Sequence, residues 1–240
     1  MAKSNLDRSN QSSKVGSIES LAGIVILAGG NSRRMGTPKA GLTLPNNERL
    51  LDYHVRQAIK LNVPIMIADN ERDFQVDAAL RSSTQTPITH IADYNSTSIV
   101  ANSETEGPLV AIESALQALA KLKNTDKVEA NSLWLMVISC DSLINAYDLW
   151  QALAPYTSEK AGDKAVICLT DEAHLYPLLG LYNISIEPQL KAYIDSGKRE
   201  VMAFIKPMTE AVAVAKEWQP LTNLNTPDDF KRACAVLTDL

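Results

Sequence analysis

The sequence has few cysteines and no long apolar run, and these absences exclude several classes of protein. It contains only three cysteines, widely spaced and without a C-x-x-C pair: Cys140, Cys168 and Cys234. Such sparse cysteines argue against a disulfide framework and favour a reducing compartment. No stretch approaches the roughly 18 apolar residues that a membrane span needs. The first 20 residues lack the apolar core of a secretory signal. We therefore expect a cytoplasmic protein that does not bind membranes.

The chain also lacks an excess of positive charge. Its formal net charge is -5, so a broad surface for nucleic acid is not expected. With 240 residues, 45% hydrophobic and 21% charged, the composition fits one α/β domain. We predict a single domain over residues 23–240 after a disordered tail at residues 1–22. Residues 1–20 are rich in Ser, Asn, Lys and Gln and nearly free of large apolar side chains.

Hydrophobic periodicity predicts alternating helices and strands, which is typical of an α/β fold. The predicted helices are residues 50–61, 107–121 and 146–153, and a last helix that begins after Thr226. The predicted strands are residues 24–28, 63–68, 87–92, 133–138, 164–169 and 174–183.

The most informative stretch is residues 24–39. An unbroken apolar run over residues 24–28 suits a parallel strand buried on both faces. Gly29 and Gly30 follow, and a glycine turn lets successive amide groups form a concave site for an anion. Three cations come after the turn: Arg33, Arg34 and Lys39. Together these features predict a phosphate-binding site. The alternative is an ordinary strand-to-helix turn with a few solvated arginines.

Two common phosphate-binding motifs do not fit this stretch. The P-loop requires G-x-x-x-x-G-K-[ST], but five residues separate Gly30 from Gly36, and Thr37 follows. The dinucleotide fingerprint G-x-G-x-x-G fails because Gly29 and Gly30 are adjacent. The string L-A-G-G-x-S-x-R-M-G-x-x-K instead resembles the signature loop of nucleotidyltransferases that use a magnesium–nucleoside triphosphate. Its glycine pair is most similar to that of the molybdenum cofactor guanylyltransferases, the MobA family.

This resemblance implies roles for the residues of the loop. Nucleotide contacts would fall on Leu27, Ala28, Gly29, Gly30, Arg33 and Lys39. Catalytic roles would fall on Lys39, Arg34 and, later in the chain, Asp141.

Polar side chains follow three of the later predicted strands. Asn70, Asp93 and Asp141 come just after the strands at residues 63–68, 87–92 and 133–138, at the edge where open α/β sheets bind ligands. The resemblance implies that Asn70 contacts the nucleotide and that Asp93 reads the guanine or ribose edge. It assigns nucleotide and Mg²⁺ binding to Asp141, and Mg²⁺ prefers one or two carboxylates plus phosphate oxygens. The alternatives are a plain turn at Asn70 and a turn or helix cap at Asp141.

The sequence departs from the family pattern at two positions. Ala111 replaces the second glycine of a G-P-L-x-G motif, which adds a methyl group where the backbone would approach the nucleotide. Leu143 replaces the proline of a C-D-x-P motif, and we expect a less rigid loop after Asp141.

The C-terminal third contains the residues that the resemblance assigns to the acceptor substrate. They are His174, Lys198, Arg199, Asn223 and Asn225. A strand-end position is the alternative for His174, and solvated charges at a helix start are the alternative for Lys198 and Arg199. The alternation of Asn223 and Asn225 points both side chains to the same side.

The resemblance implies a three-layer, Rossmann-like nucleotidyltransferase fold with a mostly parallel sheet. The implied activity moves GMP from MgGTP to molybdenum-molybdopterin and releases pyrophosphate, with Mg²⁺ as cofactor. Further suggested partners are other cofactor-biosynthesis proteins or chaperones of apo-molybdoenzymes. The alternatives are a molybdopterin cytidylyltransferase, a sugar-phosphate nucleotidyltransferase or a non-catalytic GTP-binding regulator.

Overall fold

The computed structural model describes residues 18–30, 36–94, 107–123, 133–157 and 164–237. Its strands are β1 (Leu21–Leu27), β2 (Ile65–Ala68), β3 (Ile88–His90), β4 (Trp134–Ser139), β5 (Val166–Thr170), β6 (Leu175–Asn183) and β7 (Thr209–Ala213). Its α-helices are α1 (Leu50–Ile59), α2 (Ala78–Ser82), α3 (Pro108–Lys123), α4 (Ala146–Leu153), α5 (Glu187–Asp195), α6 (Val201–Ile205) and α7 (Pro227–Val236).

The seven strands form one sheet in the order β3-β2-β1-β4-β6-β5-β7. Strands β3, β2, β1 and β4 run parallel to one another, and β7 runs parallel to β5. Strand β6 is antiparallel to both of its neighbours, β4 and β5. The carboxyl ends of β1, β2 and β4 therefore meet at one edge of the sheet.

Helices cover both faces of the sheet because its central strands are apolar on both sides. In β1, Ile24 and Ile26 pack into one core with residues of α1, α4 and α7. The intervening Val25 packs into a second core with residues of α3, α5 and α6. The predicted three-layer α/β fold with a mostly parallel sheet is confirmed.

Several predicted elements match closely, and others were not identified in the sequence. Helix α4 has the predicted bounds, whereas α1 ends at Ile59, two residues before the predicted end. The sequence did not predict α2, α5 or β7. Strand β1 begins at Leu21, so it includes two residues that were assigned to the tail. Residues 1–17 of that tail lie outside the described ranges.

No helix in the described part of the chain is both long enough and apolar enough to cross a membrane.

Candidate active site

A cleft of about 270 Å³ opens at the carboxyl edge of the sheet. Open α/β sheets bind ligands at this edge, next to the ends of their central strands. The residues that line the cleft come from the ends of β1, β2 and β4, the loop after β3, the start of α3, and β6. They are Leu27, Gly29, Gly30, Ala68, Asn70, Asp93, Gly107, Pro108, Ala111, Ser139, Asp141 and Leu178.

The turn after β1 is fixed against the end of β2. The amides of Ala28 and Gly29 both donate to the carbonyl of Ala68, at 2.8 and 3.1 Å. A Cβ added at Gly29 would lie 2.8 Å from the Cβ of Asn70, which is closer than real side chains approach. Glycine is therefore required here, because the turn of the signature loop touches the loop that presents Asn70.

The loop after β2 is a tight turn that is also part of the cleft. Asn70, Glu71 and Asp73 have left-handed backbone conformations, with φ of 53°, 57° and 52°. Asp69 is buried, and its Oδ2 accepts hydrogen bonds from the amide of Phe74 at 3.0 Å and from Nδ1 of His90 at 3.2 Å. The Asp69 carboxylate thus holds the loop to β3 and places Asn70 in the cleft.

One end of the cleft is formed by the loop after β3 and the start of α3. Asp93 lines this end together with Gly107, Pro108 and Ala111. Because α3 is 16 residues long and begins at Pro108, the positive end of its dipole faces the cleft and favours an anion. Ala111 is buried, so its methyl group occupies the place where the family pattern has a glycine.

Asp141 follows β4 in a loop with a dense set of hydrogen bonds. The carbonyl of Asp141 accepts from the amide of Leu224 at 2.7 Å, and the amide of Leu143 donates to the carbonyl of Leu221 at 2.9 Å. Leu143 is 1% exposed. A proline at this position could not make the second bond, because it lacks an amide hydrogen. The C-terminal segment thus braces the loop through a bond that proline would exclude, and the expected lower rigidity of this loop stays a prediction.

The same loop is held from its other side by α1, a feature that the sequence analysis missed. The hydroxyl of Tyr53 donates to the carbonyl of Leu143 at 3.1 Å. Nε2 of His54 lies 2.9 Å from the carbonyl of Ser142. Burial lowers the pKa of His54 from 6.5 to about 4, so its imidazole is neutral. The sequence gives only a weak signal for these two contacts, because Tyr and His on an apolar helix face usually indicate core packing.

A hollow of about 220 Å³ adjoins the cleft, and both Lys39 and Asp141 line it. Nζ of Lys39 donates to the amide oxygen of Asn225 at 3.4 Å. Cys140 also lines this hollow, but burial, together with the charge of Asp141, raises the pKa of its thiol. The thiol therefore stays protonated and is a poor nucleophile.

The structure brings most of the predicted nucleotide residues together. Leu27, Gly29, Gly30, Asn70, Asp93 and Asp141 line the cleft, and Ala28 and Lys39 line the adjoining hollow. Arg33 and Arg34 lie outside the described residues.

The predicted acceptor residues are divided between two places. Asn223 and Asn225 are exposed on either side of the buried Leu224, and Asn225 contacts Lys39. Three others line neither the cleft nor the hollow: His174, Lys198 and Arg199.

Each of those three side chains has a local contact that accounts for its position. His174 is exposed, with Nδ1 3.5 Å from Oδ1 of Asp171. Lys198 lies over the ring of Tyr193. Arg199 donates to the carbonyl of Ile194 at 2.7 Å, near the C-terminal end of α5, where a cation is favourable.

Comparison with known proteins identifies the family of the chain. A sequence model of the MobA-like NTP transferase domain matches residues 24–212. The chain belongs to this family. It is a nucleotidyltransferase, and the matched residues include the signature loop and the strands that form the cleft.

Two curated relatives are similar over nearly their whole length. The chain is 27% identical over 209 residues to the molybdenum cofactor guanylyltransferase of Vibrio atlanticus, covering 86% of this chain and 92% of that one. It is also 27% identical over 212 residues to a probable molybdenum cofactor guanylyltransferase of Synechococcus elongatus, covering 86% and 95%.

Solved structures show the same fold at lower identity. Molybdopterin-guanine dinucleotide biosynthesis protein A from Archaeoglobus fulgidus aligns with a TM-score of 0.63 and 19% identity, covering 91% of this chain and 100% of that one. The 4-diphosphocytidyl-2C-methyl-D-erythritol synthase of Anaerococcus prevotii aligns with a TM-score of 0.55 and 9% identity, covering 90% and 97%.

Proposed function

We propose that this nucleotidyltransferase moves GMP from MgGTP to the terminal phosphate of molybdenum-molybdopterin and releases pyrophosphate. Two curated relatives, in Vibrio atlanticus and Synechococcus elongatus, are named as enzymes of this activity. The observation that carries the proposal is the meeting of Gly29, Asn70, Asp93 and Asp141 in one cleft. These residues follow four different strands, and each is suited to a different part of a nucleotide.

The donor groups of the site fit a magnesium ion that arrives with the nucleotide. The described part of the chain contains no cluster of three or more His, Cys, Asp or Glu side chains that could enclose a metal. Mg²⁺ commonly binds one or two carboxylates and completes its shell with phosphate oxygens and water. Asp141 would supply the protein carboxylate, and Mg²⁺ would neutralise negative charge on the phosphates when bound.

The remaining cleft residues bind and orient the nucleotide. The carboxylate of Asp93 accepts from the N1–H and the exocyclic amine of guanine, a pairing that cytosine cannot reproduce. The turn at Gly29 and the start of α3 offer backbone amides and a positive dipole to the phosphates. Lys39 adds a cation beside Asp141, in the adjoining hollow.

The transfer requires no protein nucleophile. A terminal phosphate oxygen of the acceptor attacks the α-phosphorus of GTP and forms a new P–O bond. The bond from the α-phosphorus to the bridging oxygen breaks, and pyrophosphate leaves with the electron pair. The protein contributes position and charge stabilisation, chiefly through Lys39 and backbone amides. Cys140, the nearest thiol, is buried and protonated.

Asn223 and Asn225 are the proposed contacts of the acceptor. Asn225 touches Lys39, so an acceptor bound at these amides would lie beside the phosphates of GTP. His174, Lys198 and Arg199 do not enter this proposal, because they line neither the cleft nor the hollow.

The test measures pyrophosphate release with molybdenum-molybdopterin and either GTP, CTP or ATP in the presence of Mg²⁺. We expect turnover with GTP, and preferential thermal stabilisation by MgGTP, because selective binding shifts unfolding by mass action. Preferred turnover with CTP would replace the guanylyl assignment with a cytidylyl one. Tight MgGTP binding without pyrophosphate release would indicate a non-catalytic GTP-binding regulator.

A further inference from the structure

Two neighbouring residues of α1 reach the loop that presents Asp141. Tyr53 and His54 are both 0% exposed. The hydroxyl of Tyr53 donates to the carbonyl of Leu143 at 3.1 Å, across 90 positions of sequence. Nε2 of His54 lies 2.9 Å from the carbonyl of Ser142. Since a carbonyl only accepts hydrogen bonds, this ring nitrogen carries the hydrogen.

These contacts complete a pattern in the loop. Each of three consecutive carbonyls, in Asp141, Ser142 and Leu143, receives a donor from a distant part of the chain. The C-terminal segment supplies the donor to Asp141, and α1 supplies the other two. A buried carbonyl without a donor is costly, so the three contacts together allow few conformations of the loop.

Packing alone does not account for these two side chains. A leucine or a phenylalanine would fill a buried position on α1 without bringing a polar group into the core. The hydroxyl of Tyr53 and Nε2 of His54 instead meet carbonyls of the loop that carries the candidate metal ligand. Mutation of groups that orient a metal ligand from behind typically lowers metal affinity or activity by about tenfold to a hundredfold.

We propose that Tyr53 and His54 are positioning residues that orient the Asp141 carboxylate for the magnesium ion of MgGTP. This inference rests on the proposed function, because it takes Asp141 as the metal-binding carboxylate. It adds that the affinity of the site for metal depends on two side chains of α1, neither of which lines the cleft.

The test compares three variants of the full chain with a matched control. His54→Leu removes the donor to Ser142, and His54→Gln restores a side-chain N–H at that position. Tyr53→Phe removes only a hydroxyl and keeps the ring, so the fold is retained. The control is Val55→Ala, since Val55 is equally buried on α1 but has no hydrogen-bonding side chain.

The main measurement is Mn²⁺ binding to the GTP complex by electron paramagnetic resonance, with Mn²⁺ in place of Mg²⁺. We expect His54→Leu to weaken Mn²⁺ binding by about tenfold or more, with a smaller effect for Tyr53→Phe. His54→Gln should recover most of the affinity. In turnover, kcat should fall while the KM for GTP stays near the wild-type value. Val55→Ala should lower the Tm and leave Mn²⁺ affinity unchanged.

The outcomes separate this inference from the proposed function. Absence of Mn²⁺–GTP binding in the wild-type protein would overturn the proposed function. Wild-type Mn²⁺ affinity in both His54→Leu and Tyr53→Phe would overturn only the positioning role. An equal loss of affinity in Val55→Ala would assign the effect to stability and also overturn it. If His54→Leu does not fold, the Mn²⁺ affinity of Tyr53→Phe decides whether α1 positions Asp141.

Discussion

The ammonium of Lys39 donates a hydrogen bond to the amide oxygen of Asn225, 3.4 Å away and across 186 positions of sequence. Lys39 belongs to the signature loop, and Asn225 belongs to the segment that we assign to the acceptor. One contact therefore joins the two halves of the site. The phosphates of GTP and the phosphate of the acceptor would meet beside this pair.

Replacing Lys39 with alanine should weaken GTP binding as well as turnover, because an ammonium contacts phosphates already in the ground state. Loss of one charged hydrogen bond costs about 2 kcal/mol, or roughly thirtyfold in Kd. Isothermal titration with GTP measures the effect, and the exposed Lys60→Ala is the control for loss of a positive charge. Unchanged GTP affinity in Lys39→Ala would remove Lys39 from the phosphate site.

Asp141→Asn should reduce turnover while the protein remains folded, because the amide keeps the shape of the side chain and removes its charge. Loss of one preorganised electrostatic contact commonly costs about 3 kcal/mol, or roughly a hundredfold in rate. Pyrophosphate release gives the rate, and circular dichroism checks the fold. Asp228→Asn, at an exposed position of α7, controls for the charge change. A folded Asp141→Asn protein with wild-type turnover would contradict the metal assignment.

Asp93→Asn should narrow the preference for GTP over CTP, because an amide presents a donor where guanine requires an acceptor. We expect the ratio of the two dissociation constants to fall by about tenfold or more. Asp73→Asn makes the same charge change outside the cleft and should leave the ratio unaltered. If Asp93→Asn also preserves the ratio, Asp93 is not the residue that reads the base.

The two glycines of the signature loop should respond differently to alanine. At Gly29, a Cβ would lie 2.8 Å from the Cβ of Asn70, whereas at Gly30 no atom lies within 4 Å of the added Cβ. Overpacking of this kind costs about 1–3 kcal/mol. Gly29→Ala should therefore lower the Tm by several degrees, and Gly30→Ala should leave it nearly unchanged. Equal Tm values for the two variants would show that the loop adjusts without cost.

The contribution of Glu113 to the stability of the protein should fall as the pH rises from about 5 to 8. Burial, with the neighbouring carboxyl of Glu187, raises the pKa of Glu113 on α3 from 4.5 to about 8. The unfolded chain releases this proton near pH 4.5 and the folded chain near pH 8. The contribution of Glu113 to the free energy of unfolding is therefore lost between these values, by about 1.4 kcal/mol for each unit of pKa difference.

Glu113→Gln should remove this pH dependence, because the amide cannot ionise. Urea unfolding at pH 5 and pH 8 measures the effect, with the exposed Glu217→Gln as the control. The variant should gain stability over the wild type at pH 8 more than at pH 5. An identical change in the free energy of unfolding at both pH values would show that Glu113 does not ionise in this range.

The parts of the structure that the sequence predicted are those with strong local signals. Strand β4 is a continuous apolar run. Helix α4 begins directly after Asn145, whose side chain caps the helix by accepting from the amide of Asp148. Strand β7 was missed because Val212 is its only buried residue. Strand β7 is placed by its pairing with β5, which lies far from it in the sequence. Hydrophobic periodicity does not reveal such a pairing.

The same distinction applies to the site. Gly29, Asn70, Asp93 and Asp141 were predicted because the resemblance to a known family assigns roles to these positions. Each of them also follows a strand, and the fold then brings strand ends together. The contacts of Tyr53 and His54 join residues about ninety positions apart, and no local pattern marks such a pair. The sequence therefore predicted the side chains that face the cleft better than those that support them.

The hydrogen bonds that join the Asp141 loop to Leu221 and Leu224 affect the order in which the site forms during synthesis of the chain. Strands β1, β2 and β4 leave the ribosome early, whereas Leu221 follows Ser142 by 79 positions. A nascent chain that ends before Leu221 can form these strands, yet the loop between them lacks its C-terminal braces. We therefore expect the loop that carries Asp141 to reach its final conformation only after residues 221–224 have been added to the chain.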